Sequence, residues 1–178
     1  MPSNFSDTSN IAAGEEINAA DVKTPIDALD DALYDLAIGS GARVYNSADI
    51  TIPNATPTAL TFNNERYDTD SFHSQLINSG RLTVPAAGRY QVGCNVAFDT
   101  NSTGVRVVYL RVNGSAVIAQ EIRNAVAGAQ TVINLNTVWS FAAADYVEVV
   151  CNQTSGGNLA VKAGTASPEF WIEQLAIS

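Results

Sequence analysis

Apolar residues along this chain follow two periods in succession. Val22, Ile26, Leu29, Leu33 and Leu36 recur three or four residues apart, which lines them up on one face of a helix. Thr24 reads as the N-cap, and Pro25 suits the first helical position, where a missing N–H costs nothing. Asp27 suits the positive end of the helix dipole. Gly39-Ser40-Gly41 ends the pattern. Beyond it the apolar positions alternate, or form short runs bounded by turn residues, which is strand patterning. Strands are predicted over 42–45, 50–52, 58–62, 81–84, 88–98, 105–112, 116–122, 131–141, 146–153, 159–162 and 169–175. The polar stretch holding Tyr67, Phe72 and His73 reads as loop. Asn113-Gly114 between two alternating runs predicts a tight two-residue hairpin. Many short strands at regular spacing, with one helix before them, predict an all-β antiparallel jelly-roll sandwich.

The helix raises a question of cover. A segment of roughly fourteen residues does not persist alone in water, so its stripe must be buried against something. The Gly-Ser-Gly step separates it from the strands. Packing on its own head is the simpler alternative, but the separation favours other copies of the chain, with Val22, Ile26, Leu29, Leu33 and Leu36 forming the contact.

Composition narrows the function classes. The chain has 178 residues, enough for one main domain and an appendage. Hydrophobic residues make up 46% and charged residues only 15%, so the surface is neutral-polar. The net charge is −9, with two lysines, Lys23 and Lys162. No basic footprint for nucleic acid is present, and an anionic membrane surface is disfavoured. No apolar run reaches the length of a membrane span. The first residues, Met1-Pro2-Ser3-Asn4-Phe5-Ser6-Asp7, lack the basic and apolar regions of a signal peptide, so cytoplasmic synthesis is expected. Residues 1–24 are polar, with Ile11 and Ile17 as the contact points by which they would hold a partner. Cys94 and Cys151 each alternate with valines and read as free buried thiols. A bridge between facing sheets is the other reading. They are too few, and too far from histidine, for zinc.

Candidate chemistry is sparse. His73 is the only histidine, so any nucleophile–histidine system would depend on it, and a lone loop histidine reads as a surface residue. There is no Gly-x-Ser-x-Gly elbow and no phosphate loop. Glu65, Asp68 and Asp70 cluster before His73, but acidic chains offer such groups by chance, and a glycosidase needs two carboxylates facing across a cleft. That cluster and the Asp99–Gly104 loop have oxygen ligands suited to calcium, although a solvated hairpin turn is the simpler reading of the second. Most aromatics fall in strands and read as core or subunit contacts. Tyr67, Phe72 and His73 are the candidates for recognising a sugar or a partner surface.

Several segments resemble the trimeric jelly roll of the complement-q globular head and the tumour-necrosis-factor family. Arg81-Leu-Thr-Val-Pro-Ala-Ala-Gly-Arg-Tyr-Gln-Val is similar to that family's step through "P-x-x-G-x-Y" into its third strand. Phe141-Ala-Ala-Ala-Asp-Tyr-Val-Glu-Val is similar to its "L-x-x-G-D-x-V" step, with Ala144 where glycine is usual. Phe62-Asn-Asn-Glu-Arg-Tyr-Asp resembles the stretch before the first motif, and Pro168-Glu-Phe-Trp-Ile-Glu-Gln-Leu the last strand. The likeness spans 42–178. It implies three heads around a threefold axis, with Phe170 and Ile172 of the last strand approaching it. Ala19-Ala20-Asp21-Val22 before the helix resembles the lead-in to such heads in virion proteins of tailed bacteriophages.

The expectation is therefore a homotrimeric, non-enzymatic phage virion protein without cofactor or metal, made in the host bacterial cytoplasm. Residues 1–24 would anchor it to other virion proteins, 25–38 would trimerise, and 42–178 would form the head. Its role would be a fibre or spike that binds a host surface glycan, without inserting into a membrane or binding nucleic acid. The alternative role is capsid decoration or cement.

Overall fold

The computed structural model describes residues 25–30 and 39–177. The chain divides into two units, Met1–Ile38 and Gly39–Ser178. In the first, helix α1 covers 25–30, and Ile26 and Leu29 are half exposed on it. Ile11, Ile17, Val22, Leu33 and Leu36 lie outside the described residues.

The second unit is a sandwich of two antiparallel sheets. Its strands are β1 (Gly41–Tyr45), β2 (Ile50–Ile52), β3 (Thr58–Ala59), β4 (Asn64–Asp68), β5 (Arg81–Thr83) and β6 (Gly88–Phe98). They continue with β7 (Val105–Val112), β8 (Ala116–Asn124), β9 (Thr131–Phe141), β10 (Tyr146–Gln153), β11 (Leu159–Val161) and β12 (Glu169–Ile177). The first sheet runs β4–β1–β12–β6–β9, with β11 and then β2 continuing beside β6 where β12 ends. In the second, β10 carries β7 and then β8 on one side, and β5 and β3 on the other. Strands β2, β6, β7, β9 and β10 have the bounds that their alternation predicts.

Two local features differ from expectation. Strand β4 falls in the stretch read as loop. Its sequence, Asn-Glu-Arg-Tyr-Asp, has no apolar alternation, and it is a strand because it completes the open edge of β1. The Asn113-Gly114 turn has both residues left-handed, at φ 50° and 69°, and the Ser115 N–H donates to the Val112 carbonyl at 3.0 Å. Pairing resumes at Val112–Ala116, one residue later than a two-residue hairpin, with a register shift after Leu110.

Alternate residues of each strand fill the space between the sheets. Tyr90, Val92, Cys94, Val96 and Phe98 of β6 face Val147, Val149 and Cys151 of β10 and Val108 and Leu110 of β7 in one core. Tyr90 packs edge-on against Phe72 and Phe141, and its hydroxyl donates to the Ala86 carbonyl at 2.8 Å. Both thiols are free and buried. Phe170 and Ile172 also lie in this core, each 0% exposed, with Phe170 5.5 Å from Phe62. This corrects their expected place at a subunit axis. In a strand one register position decides the face, and it is Trp171, Glu173 and Leu175 that point outward.

The sandwich has two distinct ends. Gly41 pairs with Glu173, which pairs with Gln91, and Ile177 pairs with Gly88, so the first and last strands of the head enter and leave toward the Gly88 end of β6. The loops 53–57, 99–104, 125–130 and 154–158 gather at the other end, beyond Phe98.

Candidate assembly face

The outer face of the first sheet carries linked aromatic, charged and apolar side chains. One row across it reads Tyr67, Arg43, Trp171, Gly93, Asn136. Trp171 lies over Gly93, where an added Cβ would sit 2.3 Å from the indole. A glycine inside an alternating strand is thus explained by the close approach of a ring. The Arg43 guanidinium lies 5.5 Å from the Trp171 ring centre.

The next row reads Tyr45, Glu169, Asn95, Asn134. Glu169 is only 2% exposed although it points outward. It accepts from Arg43 Nε at 2.9 Å and from Arg66, whose Nη2 also donates to the Thr165 carbonyl at 2.9 Å. Arg66 stacks on Tyr45 at 4.6 Å. A carboxylate this deep is stable because two charge-assisted donors replace its lost water. Beside it the Tyr67 hydroxyl donates to Glu173. Burial first, and then that carboxylate, push the Tyr67 phenol up to about 12.

Around these pairs the face mixes exposed apolar side chains with polar ones such as Gln91, Asn134 and Asn136. Val138 and Leu175 are each 53% exposed, and Val132 is also exposed. The neighbouring side of the sandwich is formed by the two edge strands, β8 and β9, joined where Arg123 Nη1 donates to the Val132 carbonyl at 2.9 Å. Strand β9 exposes Trp139 there, and β8 exposes Val117 and Ile122 on the outer face of the second sheet, in register with Arg111 and Val107. Exposed apolar side chains interleaved with internally paired charge make this face a candidate for contact between copies.

The residues singled out from sequence do not form a common site. Phe72 belongs to the core. His73 is not a surface residue. Its side chain is fully buried, with Nδ1 2.8 Å from the Glu65 carboxylate and Nε2 3.1 Å from the Ser79 carbonyl oxygen. Asp68 accepts from the Phe72 and His73 N–H groups, each at 2.9 Å. Glu65 and Asp68 therefore pin the 69–80 loop and do not face each other across a cleft. Only Tyr67 reaches an outward surface, and it lies on β4. Among the described residues no His, Cys, Asp and Glu side chains gather as metal ligands. In the 99–104 loop the carbonyls of Asn101 and Thr103 accept from buried Arg106, at 3.0 and 2.9 Å. A guanidinium thus occupies two backbone oxygens of that loop.

Arg43, Arg66, Gly93, Glu169 and Trp171 were not selected from sequence. The available signals were Gly93 inside an apolar run and charged residues at strand positions.

No protein-family pattern matches the chain. Over 120 residues it is 30% identical to an uncharacterised protein, L688, of Acanthamoeba polyphaga mimivirus, which covers 64% of this chain. The chain spans about half the length of that relative, 50%. Solved structures with a similar fold include the Eiger TNF of S. frugiperda, with a TM-score of 0.57 at 12% identity, covering 79% of this chain and 94% of that one. The globular domain of zebrafish complement 1qA gives 0.56 at 13%, covering 78% and 99%. Murine APRIL gives 0.58 at 14%, covering 77% and 99%. The head has the tumour-necrosis-factor and complement-q jelly-roll fold.

Proposed function

We propose that this protein is a non-enzymatic, homotrimeric structural component of a viral particle. In the finer form of this reading it is a fibre or spike of a tailed bacteriophage whose head faces the host. The observation that carries the proposal is the outer face of the first sheet, where paired arginines, Trp171, Val138 and Leu175 form a surface that one copy leaves uncovered. The edge formed by β8 and β9, where Trp139 is exposed, is a second surface of different composition. Edge against face is a heterologous contact, and a closed ring of three satisfies both surfaces in every copy. The jelly-roll fold supports this number, and the half-exposed Ile26 and Leu29 of α1 fit a helix that gathers copies. The mimivirus relative supports a viral setting. Residues 1–24 would hold other virion proteins.

Native mass measurement of the full chain at micromolar concentration is the first test. A species of three copies is expected, and a monomer would overturn the proposal. Adsorption to host cells then tests the fibre or spike role. Stabilisation of emptied capsids without adsorption would instead assign capsid decoration or cement.

A further inference from the structure

Resting on the reading of an outward-facing head, we propose that its loop end is a preformed surface for a neutral, hydroxyl-rich polymer of the polysaccharide class. Position comes first. The head's first and last strands both lead toward the Gly88 end of β6, and loops 53–57, 99–104, 125–130 and 154–158 gather at the other end of the head.

Three of these loops, 53–57, 99–104 and 154–158, share a neutral polar chemistry, while 125–130 is alanine-rich with Val126 half exposed. On a chain of net charge −9, these loops hold one charged residue, Asp99, which is 4.0 Å from the Lys162 ammonium. They contain no aromatic residue. What they offer is amide and hydroxyl groups, among them Asn54, Asn101, Ser102, Thr103, Ser155 and Asn158. A charged polymer finds no complementary field here. A neutral polymer rich in hydroxyls finds donors and acceptors on three of the four loops.

The loops are also locked together. Arg106 of β7 and Gln153 of β10 are register partners, and both are 0% exposed. Arg106 holds the 99–104 carbonyls. Gln153 donates to the Ile52 and Gly157 carbonyls at 3.0 and 2.8 Å, and accepts from the Ser155 N–H at 2.6 Å. Asn54 Oδ1 accepts from the Gly156 N–H at 2.8 Å, and the Gly104 carbonyl accepts from the Ala125 N–H at 3.0 Å. Gly104, at φ 74°, lies so close to Thr154 that a Cβ would meet its carbonyl oxygen at 1.9 Å. All four loops are thus tied to a neighbour. Polar groups fixed in advance lose little entropy on binding. Binding by a shallow polar surface is weak for one copy, and three copies on one polymer make it avid.

The test uses the full chain on surfaces coated with dextran, mannan, heparin or polysialic acid. Binding to at least one of the neutral polymers is expected, with little to the two anionic ones. Ser102→Glu with Asn158→Glu, both at exposed loop positions, is expected to weaken it by about tenfold or more while the native mass is unchanged. Preference for an anionic polymer, binding to none, or undiminished binding by the double variant would overturn this inference. If the trimer still adsorbs to host cells in those cases, only the choice of surface and ligand is wrong. A monomer that does not adsorb would overturn the reading beneath it as well.

Discussion

Ala144 carries a cost that its sequence position foretells. It stands where glycine is usual in the resembling turn, and its φ is 68°. The turn keeps its shape because the Ala144 N–H reaches the Val84 carbonyl at 2.8 Å and Asp145 accepts from the Ala142 N–H at 2.8 Å. Ala144→Gly relieves the clash of Cβ with the backbone and is expected to stabilise the protein by about 1 kcal/mol in chemical denaturation. The cysteines give a second prediction at this scale. Burial pushes the Cys94 thiol up to about 12, from an ordinary value of 9.0, and pushes the Cys151 thiol upward as well. Both thiols should resist a disulfide reagent at mildly alkaline pH until the protein unfolds. The sign of the linkage follows. The raised Cys94 value contributes stability that is full below 9.0 and lost as pH rises toward about 12. A native thiol that reacts at once would refute this account of the core.

Among the elements, alternation made most of the fold legible. Strands such as β6, with Tyr90, Val92, Cys94, Val96 and Phe98 all inward, announce both their bounds and their buried face. Strand β4 was not legible, because its side chains answer to distant partners. Arg66 meets Glu169, and Tyr67 meets Glu173. The same device recurs on the second sheet, where Glu148 of β10 lies between Arg81 of β5 and Arg111 of β7. In each case a buried glutamate ties three adjacent strands laterally, which no local window of sequence reveals. The 69–80 loop departs from its sequence pattern for a related reason. Its polarity suggests a free surface, yet Phe72 inserts between the sheets while Leu76 and Ile77 remain outside. Phe72→Ala is expected to destabilise the protein by about 3–5 kcal/mol and to open the loop to proteolysis. A loss within experimental error would mean that the loop is not part of the core.

For the whole molecule, the candidate face was half legible. Trp171 was visible as a strand aromatic, but its direction depends on a register that the sequence leaves open by one position. A shift of one residue exchanges Phe170 and Ile172 of the core for Trp171 of the surface. Val138→Asp with Leu175→Asp places two carboxylates on exposed apolar positions of that face. The prediction is loss of the three-copy species by native mass measurement, with the fold retained by circular dichroism. An unchanged trimer would move the contact elsewhere. The loop between β8 and β9 has a further consequence, for how such heads diversify. Where a Cβ would be added at Gly128 no heavy atom lies within 4 Å, and the loop is far along the sandwich from both chain exits. Extra residues inserted there would extend into solvent without crossing a strand or the core, and lengthening a loop costs little entropy. One scaffold can therefore lengthen and vary its far end while its attachments stay fixed.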